Sequence, residues 1–428
     1  MQGEELKRNI LFVMQNGCAS AVGGSVIISF DIANLLYKND YNVTCCYYSK
    51  DKNKKPEYLH NSIDLINLQN DFDDFSAGVN NLVEKTKPDL IIFVFPGLYF
   101  RARLDDKFSS IPRILMFHSR PDFYFAEGLD EKEFEKIYKS TTSQILFESF
   151  YALLPDFIKK QNVVCIPNYY RCHELRRNFS AEHKKIVYLS RVDACKGVDF
   201  LIKSFAKVAK KYPEWKIDIW GQSQPAYYVN ALRRLARIHK VDKQIIFKGI
   251  TKEPLETLTN YDFCVFPSIF EGFGVGLVEA QSVGLPAIGR KACSGVNELI
   301  IDGKNGFLSD ENYDDFAAKI EELINNQELR TQLGLYALEN AKQYDKTRTD
   351  AMWLNAVNKI LENGKEDNVL KNEKTKYGLY PIDKIMDKYY YGGYTPSQKL
   401  FSIKNQLCGG KKAKILYILG LRFKISTK

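Results

Sequence analysis

FCVFPSIFEGFGVGLVEAQSVGLPAIG, residues 263–289, is the stretch whose reading decides the fold. An apolar run ends at Pro267. A loop then carries Glu271-Gly272-Phe273-Gly274, a helix carrying Glu279 follows, and a second apolar run covers Pro286–Gly289. Short apolar runs without alternation read as strands covered on both faces, as in parallel sheets. Strand, glycine loop, helix and strand together make a βαβ unit. In an open α/β sheet, ligands sit beyond the carboxyl ends of the strands. Glycines there let backbone N–H groups approach a phosphate, and a helix N-terminus favours its charge. A carboxylate on such a loop would repel a phosphate, so Glu271 reads as an acceptor for neutral hydroxyls, as on a sugar. Taken alone, the loop reads equally well as a tight turn beside a solvated glutamate.

Working outward, a second strand, Lys185–Ser190, leads to Arg191 and then Lys196-Gly197, with a helix expected from Val198. Two cations at the carboxyl end of one strand suit a diphosphate: Arg offers a planar fork, Lys a mobile point charge. Read alone, they are also two ordinary surface cations. Further strands are expected at Lys216–Trp220, Gln244–Lys248, Asn9–Met14, Tyr41–Tyr48, Leu90–Phe95, Ile111–His118, Gln144–Phe147 and Val163–Ile166, with helices such as Val198–Tyr212 and Ala226–His239 between them. The pattern runs through one doubly wound half and restarts after the polar stretch Arg171–Lys185. This gives a first domain over 1–180, a second over 181–345, a helix over 346–363 returning to the first, and a tail over 364–428. A length of 428 residues suits two domains and a tail.

Arg191 and Lys196-Gly197 followed by Glu271 and Glu279 resemble the family-4 retaining glycosyltransferases of the GT-B fold. The segments WKIDIWGQ (215–222), FKGI (247–250) and SGVNELIIDGKNGFL (294–308) add to the likeness, which covers roughly Asn9 to Gln343 and is strongest in the second half. The resemblance implies an α/β architecture of two Rossmann-like domains facing a cleft, and hexosyl transfer from a nucleoside-diphosphate sugar to a glycan or lipid-linked acceptor. It implies that Arg191 and Lys196 hold the donor diphosphate and that Glu271 binds hydroxyls of the donor sugar. Gly272, Phe273 and Gly274 form the loop whose backbone N–H groups assist. Glu279 would bind the ribose, and Ile250 would meet the base through its backbone. Two departures stand out. Pro167-Asn168-Tyr169 replaces the usual Pro-Asn-Gly at the linker, and Ser294–Glu298 has one glycine where two are frequent. Rival readings are another GT-B enzyme, such as an epimerase or phosphorylase, and a non-catalytic sugar-nucleotide or glycan-binding protein. The first would need different groups at Glu271 or a lysine holding pyridoxal phosphate. The second is hard to square with all four charged residues being retained.

On the first half, His118 closes an expected strand, and the resemblance implies that it faces the donor sugar. Gly23-Gly24-Ser25 would let the first helix's N-terminus approach the donor phosphate or the acceptor, with Gly24 taken as a donor-binding residue, and reads equally well as an ordinary Rossmann turn. The loop Pro96–Arg103 and the run Phe123-Tyr124-Phe125 mix aromatics with cations and could bind a lipid-linked or saccharide acceptor, though such residues are more often core edge and solvated face. Asp71 and Asp73 sit in a polar, helix-like stretch and read as a solvated face, so no metal site is expected. No cofactor is expected beyond the sugar nucleotide, which is a substrate.

The net charge of +9 is unevenly spread. Residues 371–428 hold 13 Lys/Arg against 3 Asp/Glu, and the rest of the chain is close to neutral. After Asp387 there are nine basic residues and no acid, interleaved with Tyr389-Tyr390-Tyr391 and ILYILGL (415–421). That pattern implies an anionic membrane surface as partner. Without a recognition motif, nucleic acid is not expected. The opening residues show no export signal, and nine cysteines without a paired spacing imply reduced thiols. The expected location is cytoplasmic, peripheral on the inner face of the cell membrane.

Overall fold

The computed structural model describes residues 7–14, 24–50, 55–126, 132, 135, 141–223, 226–363, 375, 377–391, 401–408, 411–418 and 421–425. The chain divides into two compact units, Met1–Asn168 with Thr347–Lys374, and Tyr169–Lys346 with Thr375–Lys428.

The first unit is built on a parallel sheet. Its strands are β1 (Asn9–Val13), β2 (Asn42–Tyr47), β3 (Asp64–Asn67), β4 (Leu90–Phe93), β5 (Arg113–Met116), β6 (Thr141–Ile145) and β7 (Asn162–Cys165), in the order β3-β2-β1-β4-β5-β6-β7. β4 and β5 are wholly buried, as unalternating apolar runs require. Helix Gly24–Lys38 follows β1, and helix Lys346–Asn363 buries Trp353, Ala356, Val357 and Ile360 along one face.

The second unit repeats the plan with β8 (Lys185–Leu189), β9 (Lys216–Trp220), β10 (Ile245–Gly249), β11 (Phe263–Phe266), β12 (Ala287–Arg290) and β13 (Gly306–Ser309), in the order β10-β9-β8-β11-β12-β13 and again parallel. In each sheet the chain winds one way and then the other. The reversal falls between β1 and β4 in the first, and between β8 and β11 in the second. Such a switch point leaves a crevice at the strands' carboxyl ends. This is the two-domain α/β architecture of the GT-B fold.

The stretch before β8 is docked on the second unit. The Arg177 guanidinium is buried and donates to the Asp262 carbonyl at 3.0 Å, while the Asp262 carboxylate accepts from the backbone N–H groups of His183 and Lys185. Tyr169, where the resemblance leads one to expect glycine, is not in the left-handed region. Its ring is buried, with the Lys346 ammonium 5.0 Å from the ring centroid. Tyr170 bridges Asp345 in parallel within the second unit.

Several details differ from the sequence reading. Residues 96–102 are a helix with Pro96 in its first turn, not a loop, because proline pre-sets the dihedral of a first helical residue. Asp71 and Asp73 lie in the turn before helix Phe75–Thr86, which cannot begin earlier because the Asp74 side chain caps it by accepting from Ala77 N–H at 2.8 Å. Strands β3 and β13 are not expected from the sequence, because DLIN has no buried residue and GFLS holds only two large apolar ones, so neither shows a continuous apolar run. The helix from Val198 ends at Phe205 and continues as turns. β5 stops at Met116, so His118 lies past the strand's end. The tail contributes helix Ile382–Tyr391 and an antiparallel sheet of its own: β14 (Phe401–Cys408), β15 (Lys411–Ile418) and β16 (Leu421–Ile425). In it β15 pairs with both β14 and β16. Gly23 falls outside the described residues. Among the described residues no helix is long and apolar enough to cross a membrane.

Candidate active site

The loops after β8 and β11 meet because those strands are neighbours at the switch point of the second sheet. After β8, Asp193 caps a short turn, Ala194–Lys196, by accepting from Cys195 N–H at 2.9 Å. Gly197 then takes a φ of 70° and opens helix Val198–Phe205. A Cβ at Gly197 would come within 2.1 Å of the Pro267 carbonyl oxygen, so no other residue lets the two loops close to this distance. A backbone bond seals the approach, with Ile269 N–H donating to the Cys195 carbonyl at 2.9 Å.

The result is an ion pair between the two candidate motifs. Lys196 Nζ lies 2.6 Å from Glu271 Oε2, and each side chain is only 9% exposed. The other carboxylate oxygen, Oε1, accepts from the buried Ser268 hydroxyl at 2.9 Å. From behind, the Ser294 hydroxyl donates to the Glu271 carbonyl at 3.1 Å. Glu271 can therefore stand beside a phosphate site because Lys196 compensates its charge. Removing either partner would strand a buried charge, which is strongly unfavourable. Ser268 and Ser294 escaped the sequence reading. The only signal was their place at strand-end loops flanking Glu271.

The other residues expected at the donor site lie on the same loops, on the helix after β11 and past the end of β10. The Arg191 side chain is about half exposed and sits 3.4 Å from the Asp193 carboxylate. Gly272, Phe273 and Gly274 lead into helix Val275–Ser282, whose N-cap Gly274 has a φ of 94° and supplies no side-chain cap. Within that first turn Leu277 N–H donates to the Gly274 carbonyl at 2.9 Å, and a helix N-terminus of this kind favours a negative charge. Phe273 is buried against Tyr344, ring centroids 5.3 Å apart. Glu279 lies one turn into the same helix, and desolvation pushes its carboxyl up to about 7, with Arg171 pulling the other way. Ile250 follows the end of β10 and is 68% exposed.

In the first unit, Gly24 is the exposed first residue of its helix. Neither ring nitrogen of His118 has a hydrogen-bond partner among the described residues, although both are shielded from water. Burial pushes its pKa down to about 3, so the imidazole is neutral at physiological pH. It can therefore exchange hydrogen bonds with a ligand but cannot act as a standing cation. Among the described residues no group of His, Cys, Asp and Glu is assembled as a metal site.

Residues 173–340 match the family model of glycosyl transferases group 1. An uncharacterized glycosyltransferase of Haemophilus influenzae is 26% identical over 339 residues, 77% of this chain and 93% of the relative. A poly(ribitol-phosphate) alpha-N-acetylglucosaminyltransferase of Staphylococcus aureus is 28% identical over 200 residues, 46% of this chain and 40% of the relative. The chain thus spans nearly all of the first relative and well under half of the second. Among solved structures, sucrose-phosphate synthase from Thermosynechococcus elongatus superposes with a TM-score of 0.69 at 16% identity, covering 83% of this chain and 100% of that one. The ion-paired loops lie within the segment matched by the family model, and the chain is a GT-B glycosyltransferase related over that segment to glycosyl transferases group 1.

Proposed function

We propose that the protein moves a hexosyl unit from a nucleoside-diphosphate sugar to a glycan or lipid-linked acceptor of the cell envelope, with retention at the anomeric carbon. The observation that carries this reading is the buried Lys196–Glu271 pair at the carboxyl edge of the second sheet. Lys196, Arg191 and the helix N-terminus at Gly274 take the diphosphate, Glu271 and Ser268 take sugar hydroxyls, and Glu279 takes the ribose. The bond from the anomeric carbon to the diphosphate oxygen breaks. The acceptor oxygen bonds to that carbon on the same face, and its proton passes to the departing diphosphate. Stabilising the leaving charge is then the main catalytic contribution of the protein. Fixed cations take the part of a divalent ion, so transfer is expected to persist in excess EDTA. His118, on the first unit, offers a neutral hydrogen-bonding group to a hydroxyl ligand. The relatives' names support an envelope setting, since one of them glycosylates poly(ribitol phosphate).

Residues 371–428 hold the enzyme on an anionic membrane surface at the cytoplasmic face. Their charge supports this, at about 1 kcal/mol for each surface-adjacent cation. The strand register adds to it, pairing Phe401 with Ile418, Ile403 with Leu416 and Leu416 with Phe423. The test is a panel of UDP- and GDP-hexoses, scored by thermal stabilisation and by the anomeric configuration of the product. The same preparation is sedimented with anionic liposomes at low and high salt. An inverted product, or no donor stabilising the chain, overturns the catalytic reading; failure to sediment at low salt overturns the membrane reading.

A further inference from the structure

Residues 377–391 lie against the second unit at the back of the donor loops. Tyr380 N–H donates to the Ala292 carbonyl at 3.1 Å. Its ring centroid is 4.9 Å from the Arg290 guanidinium, and the Phe200 centroid is 4.1 Å from the same group. Arg290 is buried, pairs with Glu311 and donates to the Pro267 carbonyl at 3.4 Å. Pro267 is the residue against which Gly197 closes. Nearby, the Lys291 ammonium lies 5.7 Å from the Tyr377 ring centroid. Helix Ile382–Tyr391 then buries Ile385 completely and Met386 almost so, and packs on the turn Ala194–Lys196. The segment thus reaches both halves of the ion pair. It touches the Lys196 turn directly, and the Glu271 loop through Arg290 and Pro267.

Lys196 sits on a three-residue turn whose reach depends on its packing, because a loop side chain is only as well placed as the shell behind it. We propose that residues 377–391 brace the donor loops and hold Lys196 where it meets the donor diphosphate, with Tyr380 and Ile385 as positioning residues. The inference rests on the donor-site reading above. A segment that only covered apolar surface would stabilise the unit without favouring one ligand over another. A brace on Lys196 acts on the ligand that Lys196 contacts.

The experiment uses the full chain and calorimetry with UDP and GDP, set against UMP and GMP, which lack the second phosphate. Tyr380→Ala and Ile385→Ala are expected to weaken the diphosphate that binds by about tenfold, within the range of coupling between residues in contact. The matching monophosphate should change much less, and Tyr380→Phe, which keeps the ring over Arg290, should resemble the parent. Lys196→Ala should weaken the diphosphate in the parent and add little in the Tyr380→Ala background. Equal losses of diphosphate and monophosphate, or additive effects of the two substitutions, would overturn the brace. If Ile385→Ala does not fold, Tyr380→Ala decides alone, since Tyr380 is only partly buried. If Lys196→Ala weakens the diphosphate while Tyr380→Ala does not, the brace fails and the donor site stands. If Lys196→Ala is silent in the parent, or neither diphosphate binds, the donor-site reading itself fails.

Discussion

The two units share a sheet plan but prepare their chemistry differently. In the second, the loops after the strands flanking the switch point carry oppositely charged side chains that already meet, with Lys196 on Glu271 at 2.6 Å and Ser268 holding the other carboxylate oxygen. In the first, the corresponding edge offers His118, whose ring nitrogens are shielded but unbonded among the described residues, and Gly24, the exposed first residue of its helix. One unit holds its charges in place before any ligand arrives. The other holds a neutral polar group whose bonding a ligand would complete. Preorganised charge suits a departing diphosphate, because groups already fixed need no reorganisation as charge develops. A neutral imidazole suits hydroxyl recognition, where one hydrogen bond contributes little net energy.

The largest expected effect follows from that contrast. Lys196→Ala and Glu271→Ala should each lower turnover by ~10²–10³, the usual loss when one preorganised electrostatic contact is removed. They should differ in binding: Glu271→Ala should still hold the nucleoside diphosphate, since its carboxylate serves the sugar, while Lys196→Ala should hold it less well. Steady-state kinetics with nucleotide titration checks both. Near-normal turnover in both variants would remove the distinction between the units.

The first unit should respond more gently. His118→Ala is expected to cost about tenfold or less, the scale of one neutral hydrogen bond. Because burial holds its pKa near 3, its contribution should not titrate between pH 6 and 9. Comparing pH–rate profiles of the parent and His118→Ala checks this. A histidine-dependent limb near neutrality would show the imidazole ionising in the working enzyme, and would make the first unit an electrostatic partner after all.

How much of this was legible in the sequence depends on distance along the chain. Arg191, Lys196, Glu271 and Glu279 stand out only in combination; read singly they are ordinary turn and surface residues, and their separate roles come from the resemblance. That Lys196 and Glu271 touch is not legible locally. It follows from β8 and β11 being neighbours at the reversal of strand order, which no single window records. Ser268 was hidden because a serine at a strand end is unremarkable until the carboxylate it serves is placed. The tail was read as one basic object because its charge dominates the composition. Yet Ile382, Ile385 and Met386 stand at i, i+3 and i+4, a helical signature that the charges masked. Tyr380 could not be foreseen, since its role depends on Arg290 reaching both it and Pro267.

The smallest expected effect concerns Glu279 and sharpens the picture of the second unit, where one donor residue is not held as a fixed charge. Desolvation raises its carboxyl to about 7, against an opposing pull from Arg171, so it is largely protonated in the unliganded protein below that pH. Ribose hydroxyls donate more strongly to the carboxylate than to the neutral acid. Nucleotide affinity should therefore climb as pH rises through about 7 and level off above it. Stability of the unliganded fold should move the opposite way. A raised folded-state pKa means that the glutamate's contribution is fully present below its unfolded value near 4.3 and is lost as pH rises through about 7. Glu279→Gln should flatten both dependences, weakening the nucleotide at high pH by several-fold and leaving low-pH affinity close to the parent. Calorimetry with UDP and GDP from pH 5.5 to 8.5, beside melting curves without ligand, separates the two. Parallel pH dependence of affinity in the parent and Glu279→Gln would place the titrating group elsewhere, and would return Glu279 to the preset part of the site alongside Lys196 and Glu271.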